Sequence, residues 1–135
     1  MKIRTAVKSD VDFLLNYDRH ISEKELHSVI ALGRVLLAEE EGHLIGWLRW
    51  GLFWDNTPFL NMLYLLQNYR NRGYGKELVL YWENLMRKNQ YSMVMTSTLS
   101  NENAQHFYRK LKYADAGSLI LKGEPLEIIF VKELK

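Results

Sequence analysis

Apolar and polar positions follow two periods along this chain, and the switches between them mark its elements. Ile3 to Val7 has the alternation of a strand. Ser9-Asp10-Val11-Asp12 then opens a helix: Ser9 is placed to cap it, Asp10 and Asp12 suit the positive end of its dipole, and Val11, Leu14 and Leu15 form its apolar face. A second helix starts at Ser22-Glu23-Lys24-Glu25, a capping-box pattern, with Leu26, Val29 and Ile30 inward and Gly33 as its stop. Val35 to Glu40 and His43 to Phe53 read as a hairpin turning at Glu41-Gly42. After a loop at Asp55-Asn56-Thr57-Pro58, Phe59 to Leu66 is almost wholly apolar, as a central strand would be.

From Gly75 to Lys88 the period becomes helical, with Leu78, Val79, Trp82, Leu85 and Met86 on one face. Tyr91 to Thr98 is a strand. Ala104, Phe107, Tyr108 and Leu111 recur at helical spacing. Tyr113 to Leu121 and Leu126 to Val131 are two last strands around Gly123-Glu124-Pro125. The order β-α-α-β-β-β-α-β-α-β-β predicts an α/β fold with a mixed sheet. Residues 59–98 form a crossover unit with a parallel pair, hairpins elsewhere pair antiparallel, and helices cover both faces.

The chain has 135 residues, 47% of them hydrophobic and 25% charged, so one folded domain over residues 1–135 is expected. No apolar run is long enough to cross a bilayer. Charges interrupt Met1-Lys2-Ile3-Arg4, unlike a secretory signal, which makes the cytoplasm the expected location. Cysteine is absent, which removes disulfides, thiolate metal sites and a cysteine nucleophile; no metal site is expected. A net charge of +2 argues against a dedicated nucleic-acid binder. It leaves room for an anionic small ligand, because Gln67 to Lys76 carries Arg70, Arg72 and Lys76 without an acidic residue.

That segment leaves a buried strand and enters a helix. A helix N-terminus presents unpaired N–H groups and partial positive charge, and Gly73 and Gly75 let a bulky anion approach the backbone. The combination describes a phosphate or pyrophosphate site, against the plainer alternative of a turn with solvated basic residues. Two nucleotide motifs fail on spacing. A Walker loop needs serine or threonine where Glu77 stands, and a dinucleotide fingerprint needs glycine or alanine where Leu78 stands.

Arg70-Asn71-Arg72-Gly73-Tyr74-Gly75 resembles the pyrophosphate loop of the GNAT acetyltransferases, which reads Arg or Gln, two residues, Gly, one residue, Gly or Ala. Asn101 to Tyr113 resembles that family's second signature, an Asn-x-x-Ala helix bearing Phe-Tyr, with Lys112-Tyr113 where the family has Gly-Phe. The element order is similar over the whole chain. The resemblance implies a GNAT-like fold with a mixed sheet of six to seven strands and about four helices, acetyl-CoA as cosubstrate, and a cleft where the fourth and fifth strands splay apart. It implies that backbone groups of Leu63 and Leu65 pair with the pantetheine arm. It places the pyrophosphate on Arg70, Asn71, Arg72, Gly73, Tyr74, Gly75 and Lys76, and the pantetheine region beside Asn103. Tyr108 matches the family's frequent general acid, while its apolar helical face is equally that of a core tyrosine.

No Asp or Glu stands on the fourth or fifth strand, which offer Asn61, Tyr64, Thr96 and Thr98, so a general base is not evident. Asp55 and Glu127 are candidates, and His106 falls on the solvent side of its helix. Tyr17, Asp18, His20 and Glu23, at the connection of the first two helices, are expected on the acceptor side with loops 54–58 and 122–125. Trp50 and Trp54 share strand parity; they, Trp47 and Phe53 are expected to serve core or dimer contact, against lining an acceptor pocket or stacking on a cation. The functions open to this chain are acetyl transfer to a primary amine of a small molecule, peptide or protein, acyl-CoA binding without catalysis, and, more remotely, RNA binding by the basic loop. A homodimer also remains open.

Overall fold

The computed structural model describes residues 1–135. Its elements are β1 (Lys2–Thr5), α1 (Val11–Tyr17), α2 (Glu23–Ala31), β2 (Val35–Glu40), β3 (His43–Phe53), β4 (Thr57–Leu65), α3 (Tyr74–Lys88), β5 (Met93–Leu99), α4 (Ala104–Lys110), β6 (Ala114–Leu119) and β7 (Glu127–Glu133). This is the expected order. The seven strands follow β1-β2-β3-β4-β5-β7-β6, so the apolar run of β4 is central. The crossover through α3 makes β4 and β5 parallel, with Phe59 opposite Met95 and Leu60 opposite Thr96. No helix is long and apolar enough to cross a membrane. The chain forms two compact units, Met1–Gly51 with Met62–Leu78, and Leu52–Asn61 with Val79–Lys135.

In the first unit, β1 and β3 both pair antiparallel with β2. The β2–β3 turn holds Glu41 at φ 50° and Gly42 at φ 80°, the positive pair that matches strand twist in a two-residue hairpin. Leu37 lies opposite Trp47, and their shared face packs with Val11, Leu14 and Leu26 from the helices. Ser22 accepts the Glu25 N–H at 3.2 Å, as the capping pattern predicts. The first helix differs from expectation at its start. Residues Lys8–Asp10 form a 3-10 turn, and Asp10 rather than Ser9 takes the local donor, accepting the Val7 N–H at 2.7 Å. Asp10 can do so because its carboxylate is anchored by both Arg4 terminal nitrogens at 2.9 Å. A hydroxyl at Ser9 offers no such ion pair, and the Arg4 hydrogen bond holds the Asp10 carboxyl below the usual carboxylate range.

Gly46 on β3 is closely covered by β4. A Cβ there would meet the Tyr64 carbonyl oxygen and stand 2.6 Å from Leu65 Cδ2 and 3.2 Å from Leu65 Cα. Gly46→Ala is therefore expected to destabilise the protein by about 1–3 kcal/mol, read from the urea midpoint. An unchanged midpoint would show that β4 can back away at no cost.

In the second unit, β7 pairs antiparallel with both β5 and β6. Helix α3 buries Val79, Trp82 and Met86, and with them a carboxylate, Glu83, at 0% exposure. The Tyr113 hydroxyl donates to Glu83 Oε2 at 2.8 Å and Lys132 Nζ to Oε1 at 2.8 Å, so each oxygen has a charge-compatible donor. Burial, and then the Glu83 charge, push the Tyr113 phenol far above its ordinary range, which keeps it a donor. Tyr113 is the position where the resembled signature has phenylalanine, and its additional hydroxyl is what Glu83 binds.

Candidate active site

The loop from Gln67 to Gly73 follows β4 by a 3-10 turn at Gln67–Tyr69, and α3 begins at Tyr74. Asn71 at φ 62° and Gly73 at φ 86° turn the chain into the helix through the left-handed region. At this turn the Glu77 N–H donates to the Gly73 carbonyl at 3.1 Å. A helix leaves the N–H groups of its first turn without intrahelical acceptors, here those of Tyr74, Gly75 and Lys76. A Cβ on Gly73 would find no atom within 4 Å, so the loop's glycine faces open space. Arg70, Asn71, Arg72, Gly73 and Lys76 are exposed, Tyr74 is half-buried and Gly75 is buried. A pyrophosphate fits these features: open backbone, a helix terminus of positive partial charge, and cations at its margin.

The cations are not equivalent. Arg70 turns back on its own strand: Nε donates to the Leu65 carbonyl at 2.8 Å, and its guanidinium lies 5.0 Å from the Tyr64 ring centre. Arg72 lies over Tyr69 at 5.7 Å. The Tyr74 hydroxyl donates to Glu40 Oε2 at 2.6 Å, tying the loop to the β2–β3 hairpin. That bond raises the Tyr74 phenol above its ordinary range and lowers the Glu40 carboxyl. Glu40 has no sequence signal for this role, because it sits 34 residues before its partner.

The edge of β4 follows from one hydrogen bond. Leu66 N–H donates to the Ile45 carbonyl at 2.8 Å, so residue 66 faces β3. Backbone groups alternate in direction along a strand, which turns those of Leu63 and Leu65 to the opposite edge. Arg70 already holds the Leu65 carbonyl, leaving the Leu65 N–H and both groups of Leu63.

In the second unit, Tyr108 on α4 is 5% exposed. Its ring packs edge-on against Phe107 and Tyr113, with centroids at 5.0 and 5.4 Å, and lies 6.4 Å from Phe130. Burial raises its phenol well above the ordinary range, and a hydrogen bond with Thr96 works in the other direction. Asn103 occupies the cap position of α4 without a side-chain cap bond, and it is exposed. Of the base candidates, Asp55 is exposed at φ 64° in the β3–β4 turn, and Glu127 is half-buried opposite Leu99 of β5. His106 is exposed, as its spacing suggests.

Two expectations about the acceptor side change. Asp18 is 3% exposed and committed: Arg49 Nε donates to it at 2.7 Å, Trp47 Nε1 at 3.3 Å and His20 N–H at 3.1 Å. It anchors the connection between α1 and α2 and has no free edge for a ligand. Burial pushes its carboxyl up, but the Arg49 hydrogen bond and charge outweigh this and hold it below the usual range. A folded pKa below the unfolded one, about 4, contributes stability above that pH and loses it as pH falls through the folded value. Asp18→Asn is thus expected to cost about 3–5 kcal/mol at pH 7, because it leaves Arg49 buried without its charge partner. Urea unfolding should show the gap to wild type narrowing below about pH 4. Trp54, in turn, does not follow Trp50. It lies beyond β3 at φ 57° and is 72% exposed with its ring 4.6 Å from Phe53, whereas Trp50 is 6% exposed. Strand parity ends where the backbone leaves the extended region.

Tyr17 remains available, at 44% exposure. It lines a groove of about 570 Å³ in the first unit with Phe13, His43, Leu66 and Tyr69. Behind it, Trp47 and Tyr64 stack at 4.7 Å.

The order of strands and helices, with a glycine loop opening α3, fits an acyl-CoA-dependent N-acetyltransferase. The family model described as Acetyltransferase (GNAT) family matches residues 6–113, and the chain belongs to that family. No curated protein matches it. Among solved structures it is similar to ribosomal-protein-alanine N-acetyltransferase from Brucella melitensis, at 21% identity and TM-score 0.81 over 99% of this chain and 100% of that one. It is similar to PaiA N-acetyltransferase from Thermoplasma acidophilum in complex with coenzyme A, at 20% identity and TM-score 0.81 over 98% of each chain. It is also similar to aminoglycoside 6′-N-acetyltransferase complexed with coenzyme A, at 18% identity and TM-score 0.81 over 100% of this chain and 98% of that one. At these identities the likeness is one of fold.

Proposed function

We propose that this enzyme transfers the acetyl group of acetyl-CoA to a primary amine by direct attack, with both substrates bound together and residues 1–135 acting as one catalytic domain. The observation that carries this is the open loop at the start of α3, where Gly73 at φ 86° faces empty space beside unpaired helix N–H groups. Acetyl-CoA supplies an acyl group already activated as a thioester. Backbone N–H groups from Arg70 to Lys76 bind its pyrophosphate, and Arg72 and Lys76 screen the charge. Arg70 closes the loop onto Leu65 and so sets the loop's position. Leu63 and the Leu65 N–H take the pantetheine amides as an added strand would, and Asn103 bonds the pantetheine from α4. Tyr108 donates its proton to the CoA sulfur as it leaves. The acceptor ammonium loses its proton to water, or to Asp55 or Glu127.

The acceptor is a small molecule, peptide or protein amine. Similar folds serve both a ribosomal protein alanine and an aminoglycoside in the proteins named above. The test is thiol release from acetyl-CoA across polyamines, aminoglycosides, amino acids and peptide N-termini, together with calorimetry of CoA binding. CoA binding and amine-dependent thiol release are expected. CoA binding without release for any amine would leave an acyl-CoA-binding module, and no CoA binding would remove the proposal.

A further inference from the structure

Two side chains fasten the loop at the start of α3, one on each side of its left-handed residues, Asn71 at φ 62° and Gly73 at φ 86°. Before them, Arg70 Nε donates to the Leu65 carbonyl at 2.8 Å. After them, the Tyr74 hydroxyl donates to Glu40 Oε2 at 2.6 Å. Tyr74 is the first residue of α3, and Glu40 is the last of β2, in register with His43 across the hairpin. The clasp therefore ties the N-terminus of the helix to a strand end. A hydroxyl donating to a carboxylate at this distance is among the stronger hydrogen bonds. Chiefly through this bond, the Glu40 carboxyl is held below its usual range and the Tyr74 phenol above its own, so acceptor and donor keep those forms at neutral pH.

We propose that Glu40 is a positioning residue for acetyl-CoA: by holding the Tyr74 side chain, it fixes the first turn of α3 so that the N–H groups of Tyr74, Gly75 and Lys76 are set for the pyrophosphate before it arrives. This rests on the pyrophosphate reading of the loop given above. A chain with glycine at two of three successive positions, Gly73 and Gly75, has a wide choice of backbone conformations. Ordering it on binding would be charged against affinity. A clasp made on folding removes that cost from the binding step.

Charge alone predicts the opposite sign. A carboxylate beside an anion site repels a pyrophosphate, so a Glu40 that acted only through its charge would, once removed, let CoA bind more tightly. A Glu40 that holds the loop would, once removed, let CoA bind more weakly.

The test needs no acceptor amine. Calorimetry reads CoA affinity, and an NMR titration reads affinity for pantetheine, which carries the thiol arm and no pyrophosphate. Glu40 Oε1 also faces the Met1 nitrogen at 3.5 Å, so Tyr74→Phe is the variant that removes the clasp alone. It is expected to raise the CoA dissociation constant about fivefold to tenfold and to leave that of pantetheine within about twofold. Glu40→Ala is expected to raise it at least about threefold, the lost repulsion offsetting part of the effect. Glu40→Gln, whose amide oxygen still accepts from the phenol, should lose no more than about twofold. In a Tyr74→Phe background, Glu40→Ala should weaken CoA binding no further, since the two act as a unit. Wild-type CoA affinity in Tyr74→Phe would overturn the inference. So would tighter binding by Glu40→Ala, a Glu40→Gln protein as weak as Glu40→Ala, a loss shared equally by pantetheine, or a Glu40→Ala loss that persists without the Tyr74 hydroxyl. No binding of CoA by wild type would overturn the acetyltransferase proposal and this inference with it.

Discussion

Tyr108→Phe is expected to lower kcat by about 10²-fold while changing acetyl-CoA affinity by less than about threefold. The ring is held on three sides by Phe107, Tyr113 and Phe130, and phenylalanine fills the same volume. Loss of the hydroxyl therefore removes a proton and leaves the shape. Stability should fall by only about 1 kcal/mol, the usual net worth of one hydrogen bond, so an unfolded variant would not be the cause. The pH dependence follows from the direction of the Tyr108 shift. An acid must be protonated to work, and burial raises this phenol above the ordinary range of about 10. The rate should then show no fall assignable to Tyr108 on the alkaline side below about pH 10. Steady-state kinetics with a verified amine decides the matter. A kcat within about threefold of wild type would leave Tyr108 as a core residue only.

What periodicity could say about this chain it said well, and what it could not say has a common physical character. The alternation that marks β2, β3 and β4 is local, as is the helical stripe of Leu78, Val79, Trp82 and Met86, and these elements stand where they were expected. The glycine loop was legible too, since positive φ at Gly73 and the start of a helix depend on neighbours in sequence. Pairings across the chain were not. Asp18 meets Arg49 from 31 residues away, and Glu83 meets Tyr113 and Lys132 from 30 and 49. A carboxylate on a helix or in a connection looks solvated unless its distant partners are known. That is why Asp18 was expected to face an acceptor, and why Glu83 on the buried face of α3 carried no signal beyond its spacing. The Ser9 cap failed for the same reason: Arg4 makes Asp10 the better local acceptor. Thr96 was visible only as a strand residue lacking a carboxylate, and its bond to the Leu60 carbonyl required the pairing of β4 with β5.

Gly73→Val is expected to raise the acetyl-CoA dissociation constant by at least about 30-fold, with kcat at saturating acetyl-CoA nearly unchanged. Two causes act together and can be separated. The residue sits at φ 86°, where a β-branched side chain is strained by about 1–2 kcal/mol. Its side chain would also occupy the open space beside the loop, where no protein atom lies within 4 Å of the Cβ position and where the pyrophosphate is proposed to approach. Gly123→Val supplies the control. Gly123 has φ 77° and is equally free of neighbours within 4 Å, but it lies in the β6–β7 connection. The same backbone strain is thus introduced at both positions, and only the Gly73 variant should lose acetyl-CoA affinity. Lys76→Ala, which removes charge without altering the backbone, is expected to weaken binding by a smaller factor, about threefold to tenfold, and to flatten its dependence on salt. Calorimetry on the three variants separates these contributions. If Gly73→Val binds acetyl-CoA as wild type does while both glycine variants show the same loss of stability, the loop is a turn and the pyrophosphate lies elsewhere.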